Sequence, residues 1–129
     1  RQRQMCIRDS KKNRSIDKKR IYIMGLSMGG WGTWDAIQRR PNFFAAAVPI
    51  CGGGDVSYVK DISFMPIWAW HGKDDSVINI ERSSEMVSAL NEMSNQTKFT
   101  VVENRGHDSW IDVWNNKEVW KWLYNQKKN

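Results

Sequence analysis

Ser27 stands between two glycines in Gly25-Leu26-Ser27-Met28-Gly29, directly after the apolar run Ile21-Tyr22-Ile23-Met24. A strand that runs into G-x-S-x-G and on into a helix is a nucleophile elbow, a sharp turn that lifts the serine hydroxyl clear of the sheet. The glycines fit that turn because strand and helix come so close that a Cβ at either position would meet the neighbouring backbone. A helix N-cap would also use serine, but it does not call for glycine on both sides. Ser27 is therefore the candidate nucleophile. The N–H of Met28, where the helix starts, is a candidate donor to the oxyanion of an acyl-transfer intermediate.

A serine hydroxyl needs a base, and imidazole suits because its unperturbed pKa of about 6.5 lies near working pH. The chain has two histidines, His71 and His107. The elbow arrangement places serine, acid and histidine in that chain order. Two aspartates, Asp74 and Asp75, follow the short apolar run Pro66-Ile67-Trp68-Ala69-Trp70, and either could accept the second N–H of a histidine and fix its tautomer. That order selects His107 as the base and leaves His71 a structural role. His107 sits in Glu103-Asn104-Arg105-Gly106-His107-Asp108-Ser109-Trp110, where Gly106 lets the backbone turn after an alternating apolar stretch. Loops at strand ends are where catalytic groups belong. Asp108 is expected to be a solvated turn residue.

The elements that must position these groups alternate between strand and helix, the pattern of a parallel sheet covered on both faces. The pattern predicts strands over 20–24, 44–50, 66–70 and 97–102, and helices over 29–40, 80–93 and 112–125. Pro41 stops the first helix, because proline disfavours helical geometry in the residue before it. Ile80, Ser83, Val87 and Leu90 share one face of the second helix, and Val113, Val119, Trp120 and Leu123 are the buried side of the last.

Gly25-Leu26-Ser27-Met28-Gly29-Gly30-Trp31-Gly32 and Gly106-His107-Asp108-Ser109-Trp110 resemble the motifs of the α/β-hydrolase superfamily. The resemblance is to its esterase and predicted-peptidase group, related to polyhydroxybutyrate depolymerases, feruloyl esterases and prolyl oligopeptidases, and covers residues 16 to 122. In that group a segment H-G-x-x-D-x-x-V-P carries the catalytic aspartate four residues after the histidine, which implies Asp75 here. Ile78 and Asn79 stand where the pattern has valine and proline. The resemblance implies a serine hydrolase acting on carboxylic esters. A serine peptidase of prolyl-oligopeptidase type shares the same chemistry, and a non-catalytic carbohydrate-binding module is the reading from another class.

A complete hydrolase of this kind usually needs more than about 200 residues. Its nucleophile follows the fifth strand of an eight-stranded sheet, and the loop after the third strand supplies the other oxyanion donor. The expectation is therefore the C-terminal part of an α/β-hydrolase fold, a truncated domain over 16–129 with its N-terminal strands missing and only weak activity. Its first strand would present an unpaired apolar edge. Residues 1–15 have no apolar period, resemble translated adapter sequence and are expected to be a non-native or disordered leader.

Charge divides at the same place. Residues 1–20 hold nine of the twenty Lys and Arg against Asp9 and Asp17, so the basic balance of +6 belongs to that segment. The remainder has eleven basic and twelve acidic residues without clustering, which excludes the basic stripe of a nucleic-acid-binding surface. No apolar run approaches the roughly 18 residues of a membrane span. Two isolated histidines and no C-x-x-C give no zinc spacing, and neither metal nor cofactor is expected. Cys51 follows a buried strand and is expected to behave as a small apolar residue.

Of eight tryptophans, Trp34, Trp68, Trp70, Trp120 and Trp122 fall in predicted elements and are expected in the core. Trp31 and Trp110 lie within a few residues of Ser27 or His107 and are candidates to line a substrate cleft. An acyl or aryl group packed there would suit feruloyl or acetyl esters of polysaccharide.

Overall fold

The apolar runs become strands and the amphipathic stretches become helices. The computed structural model describes residues 17–93 and 97–128, so the leader expected over 1–15 lies outside the described residues. In chain order the elements are β1 (Tyr22–Leu26), α1 (Met28–Arg39), β2 (Ala46–Ile50), a 3₁₀ helix (Val56–Ile62), β3 (Trp68–Gly72), α2 (Glu81–Asn91), β4 (Lys98–Val102), α3 (Trp110–Trp114) and α4 (Lys117–Tyr124). The strands form one sheet in the order β1-β2-β3-β4, all parallel. Tyr22 lies opposite Ala46, Ile50 opposite Trp70, and Trp70 opposite Thr100. Every residue of β2 and β3 is buried, as central strands of a parallel sheet must be when both faces are covered.

Strand alternation divides the interior into two cores. On one face Ile23, Ala47, Ile67 and Ala69 meet Trp34 and Ile37 of α1, Val59 and Ile62 of the 3₁₀ helix, and Met86, Val87 and Leu90 of α2. On the other, Ala46, Val48, Ile50, Trp68 and Trp70 meet Val113, Val119 and Leu123. Trp34, Trp68 and Trp70 are buried as expected, whereas Trp120 and Trp122 are only half-buried.

Three differences from the sequence expectation have physical causes. β1 and β3 run two residues further than their apolar runs, because pairing with β2 and β4 holds Gly25-Leu26 and His71-Gly72 extended. The 3₁₀ helix was not expected; its apolar residues recur every third position, Val56, Val59 and Ile62, and the Asp55 carboxylate starts it by accepting the Ser57 N–H at 3.0 Å. The single closing helix expected over 112–125 is two helices. Asn116 breaks it with extended backbone, and its side chain caps α4 by accepting the Glu118 N–H at 2.9 Å.

Candidate active site

Parallel strands open their C-terminal ends on one edge of the sheet, and three of those ends carry the candidate residues. Ser27 follows β1 directly, with φ 54° and ψ −118°. This positive φ is rare for a residue with a side chain and marks local strain. Its N–H donates to Ile50 O at 3.0 Å and to Cys51 Sγ at 3.2 Å. Its carbonyl accepts the Gly30 and Trp31 N–H groups at 2.8 and 3.1 Å, which starts α1. A Cβ on Gly25 would fall on the Gly29 carbonyl and 2.8 Å from Thr33 Oγ1, so the close approach of strand and helix requires glycine there.

The loop after β3 presents Asp75. Its Oδ1 accepts the N–H groups of Val77 and Ile78 at 2.8 and 2.9 Å, which aims Oδ2 away from the turn. Oδ2 lies 2.8 Å from His107 Nδ1 and 3.2 Å from His71 Nε2. Burial pushes the Asp75 carboxyl up, but the His107 hydrogen bond and the Ile78 and Val77 N–H groups together hold it below its ordinary range. Asp74 points into solvent.

The loop after β4 brings His107 to both partners. The Lys73 N–H donates to Val102 O and the Asp74 N–H to Arg105 O, each at 3.0 Å, tying the two loops together. Arg105 pairs with Asp112 of α3 at 2.8 Å, which fixes the loop from its other side. Between those anchors His107 Nε2 lies 2.8 Å from Ser27 Oγ. With Nδ1–H donating to Asp75, Nε2 is the acceptor for the serine hydroxyl. Ser27, His107 and Asp75 thus form one hydrogen-bonded line. Asp108 lies half-buried beside Arg105 at 3.5 Å, away from the line.

Met28 begins α1, so its N–H has no acceptor within the helix and stands at a helix N-terminus. Trp31 is 39 % exposed and walls a cleft of about 600 Å³ with Gly32, Asp35, Gln38, Gly53 and Asp55. Trp110 is half-buried and sets its ring edge-to-face on His107, centroids 5.8 Å apart.

Two residues near the line, Cys51 and His71, make contacts that the sequence reading did not foresee. Cys51 is buried with φ 44°, and its sulfur accepts the Ser27 N–H instead of merely filling space. Burial pushes its thiol pKa up, keeping it protonated. His71 is fully buried beside Asp75, and desolvation pushes its pKa down. Its i,i+4 spacing from Asp75 across a turn was the available signal. Among the described residues, Cys51, Asp75 and His107 bring donor atoms within 4.8 Å of one another. Their bonds to each other and to Ser27 account for that closeness.

No helix among the described residues is long and apolar enough to cross a membrane. A thermostable esterase of solved structure superposes with a TM-score of 0.92 at 44% identity, over 96% of this chain and 35% of that one. A bifunctional acetylxylan esterase/xylanase from Neocallimastix patriciarum is 38% identical over 72 residues, 56% of this chain and 11% of that protein. Poly(3-hydroxyalkanoate) depolymerase C of Paucimonas lemoignei is 46% identical over 43 residues, 33% of this chain and 10% of that one. The chain therefore spans about a third of that esterase and about a tenth of the two curated relatives. Residues 1–111 match the family model that describes dienelactone hydrolases. With an α/β sheet of four parallel strands and that match over most of its length, the chain belongs to the dienelactone hydrolase family of the α/β-hydrolase superfamily.

Proposed function

We propose that this chain carries the nucleophile, base and acid of a serine esterase. The observation that carries the reading is the hydrogen-bonded line from Ser27 Oγ through His107 to Asp75, 2.8 Å at each step. In this reading Ser27 Oγ attacks the ester carbonyl carbon while its proton passes to His107 Nε2. Asp75 steadies the resulting imidazolium through Nδ1–H, and the Met28 N–H faces the oxyanion. Collapse of the tetrahedral intermediate breaks the bond to the alcohol oxygen, which leaves with the proton from Nε2. Water then repeats the sequence on the acyl-enzyme, releasing the carboxylic acid and restoring Ser27.

Esters are favoured over peptides because the solved neighbour at 44% identity is an esterase and the curated relatives are named for ester-bearing polymers. The exposed face of Trp31, with Asp35, Gln38 and Asp55 around it, suits an ester carried on a polysaccharide. Trp110, against His107, would border the acyl group. A fluorophosphonate probe tests the assignment: the parent chain labels and Ser27→Ala does not. Equal labelling of the two would remove Ser27 from the mechanism.

A further inference from the structure

His71 has no place in the mechanism above, yet it is fully buried and lies beside the acid. Its Nε2 lies 2.8 Å from Ile78 O and 3.2 Å from Asp75 Oδ2. Both are acceptors, so Nε2 must carry the proton. The Ile78 backbone is held on both sides, for its N–H donates to Asp75 Oδ1 at 2.9 Å. His71 thus grips the turn that holds the carboxylate, with its Nε2 3.2 Å from Oδ2.

The other nitrogen extends the support. His71 Nδ1 lies 2.7 Å from Ser83 Oγ on α2, and that hydroxyl is 2.9 Å from Gly52 O. Gly52 packs so tightly on α1 that a Cβ there would stand 2.6 Å from both Gly30 C and Trp31 N. One continuous set of contacts therefore runs from the acid, through His71 and α2, to the helix that begins at Ser27.

Resting on the esterase reading, we propose that His71 is a positioning residue for Asp75: its Nε2–H holds the Ile78 carbonyl, and so fixes the turn whose Val77 and Ile78 N–H groups bind Oδ1 and aim Oδ2 at His107. Asp75 and His107 are the titratable groups that act on its ring. Burial favours the neutral form.

The test begins with the parent chain labelled with ¹⁵N-histidine. At pH 7 His71 is expected as the neutral Nε2–H tautomer; an Nδ1–H tautomer would overturn the proposal without any variant. Turnover of p-nitrophenyl acetate is then compared in His71→Leu and His71→Gln, the amide of glutamine standing near Nε2. Leucine should lower kcat about tenfold with KM within about twofold, the scale for partners that orient a working ligand. It should also move the low-field signal of the His107 Nδ1 proton, and glutamine should restore both. A folded leucine variant with unchanged kcat and an unmoved signal would reduce His71 to core packing. That signal is read without substrate. If it moves in a chain that no fluorophosphonate labels, the esterase reading fails while the positioning role stands.

Discussion

Asp75 collects donors on both oxygens while its neighbour Asp74 faces water. Asp75→Asn should therefore lower kcat on p-nitrophenyl acetate by about 10⁴-fold through loss of the correct His107 tautomer. Asp74→Asn should stay within about twofold, and the reverse ranking would reassign the acid. The meeting of Ser27 and His107 was legible because their motifs are local, glycine spacing for one and a turn after a strand for the other. Choosing between adjacent aspartates needed the resemblance to a known pattern. What physically separates them is the turn in which the Val77 and Ile78 N–H groups fold back on Asp75, a property of backbone direction that residue type does not encode. The roles of His71 and Cys51 were hidden for a related reason. Each depends on which way one side chain points in a packed interior.

Among the elements, the strand-helix alternation could be read from the apolar pattern, and the boundaries could not. Parallel pairing extended β1 and β3 into glycine-bearing segments with little strand propensity of their own, and Asn116 ended a helix whose periodicity continues across it. Gly72, at the end of β3, illustrates how closely these elements meet. A Cβ there would fall on the carbonyls of Arg105 and Gly106, the residues just before His107. Both are backbone atoms, so the loop after β4 must move. Gly72→Ala should slow fluorophosphonate labelling of Ser27 by about 10²-fold, the scale for a displacement near 1 Å at a reacting group. Its unfolding free energy in urea should fall by the modest amount expected of overpacking, about 1–3 kcal/mol. Normal labelling in a destabilised variant would mean that the strand end and the His107 loop are not mechanically coupled.

For the molecule as a whole, the same buried groups set its tolerance of acid. The His71 pKa lies below its ordinary 6.5 in the folded state because burial disfavours the imidazolium. The unfolded chain therefore binds the extra proton first. The contribution of neutral His71 is complete above pH 6.5 and declines as pH falls toward the folded value. Asp75 acts with the same sign at lower pH: its contribution is complete above its ordinary 3.8 and disappears as pH falls through the depressed folded value. Urea midpoints should thus descend in two stages on the acid side, and His71→Gln should flatten the upper one. Identical profiles for parent and variant between pH 7 and about 5 would show that His71 does not set that stage.

The dihedral angles at position 27 carry a final implication. A residue without a Cβ would sit there in comfort, and any other is held against its preference by the sheet and helix on either side. Drift toward a sturdier fold at this site would end in glycine, which has no oxygen to offer a substrate. In the proposed mechanism the hydroxyl that reacts is thus held in place against the backbone preference of its own residue.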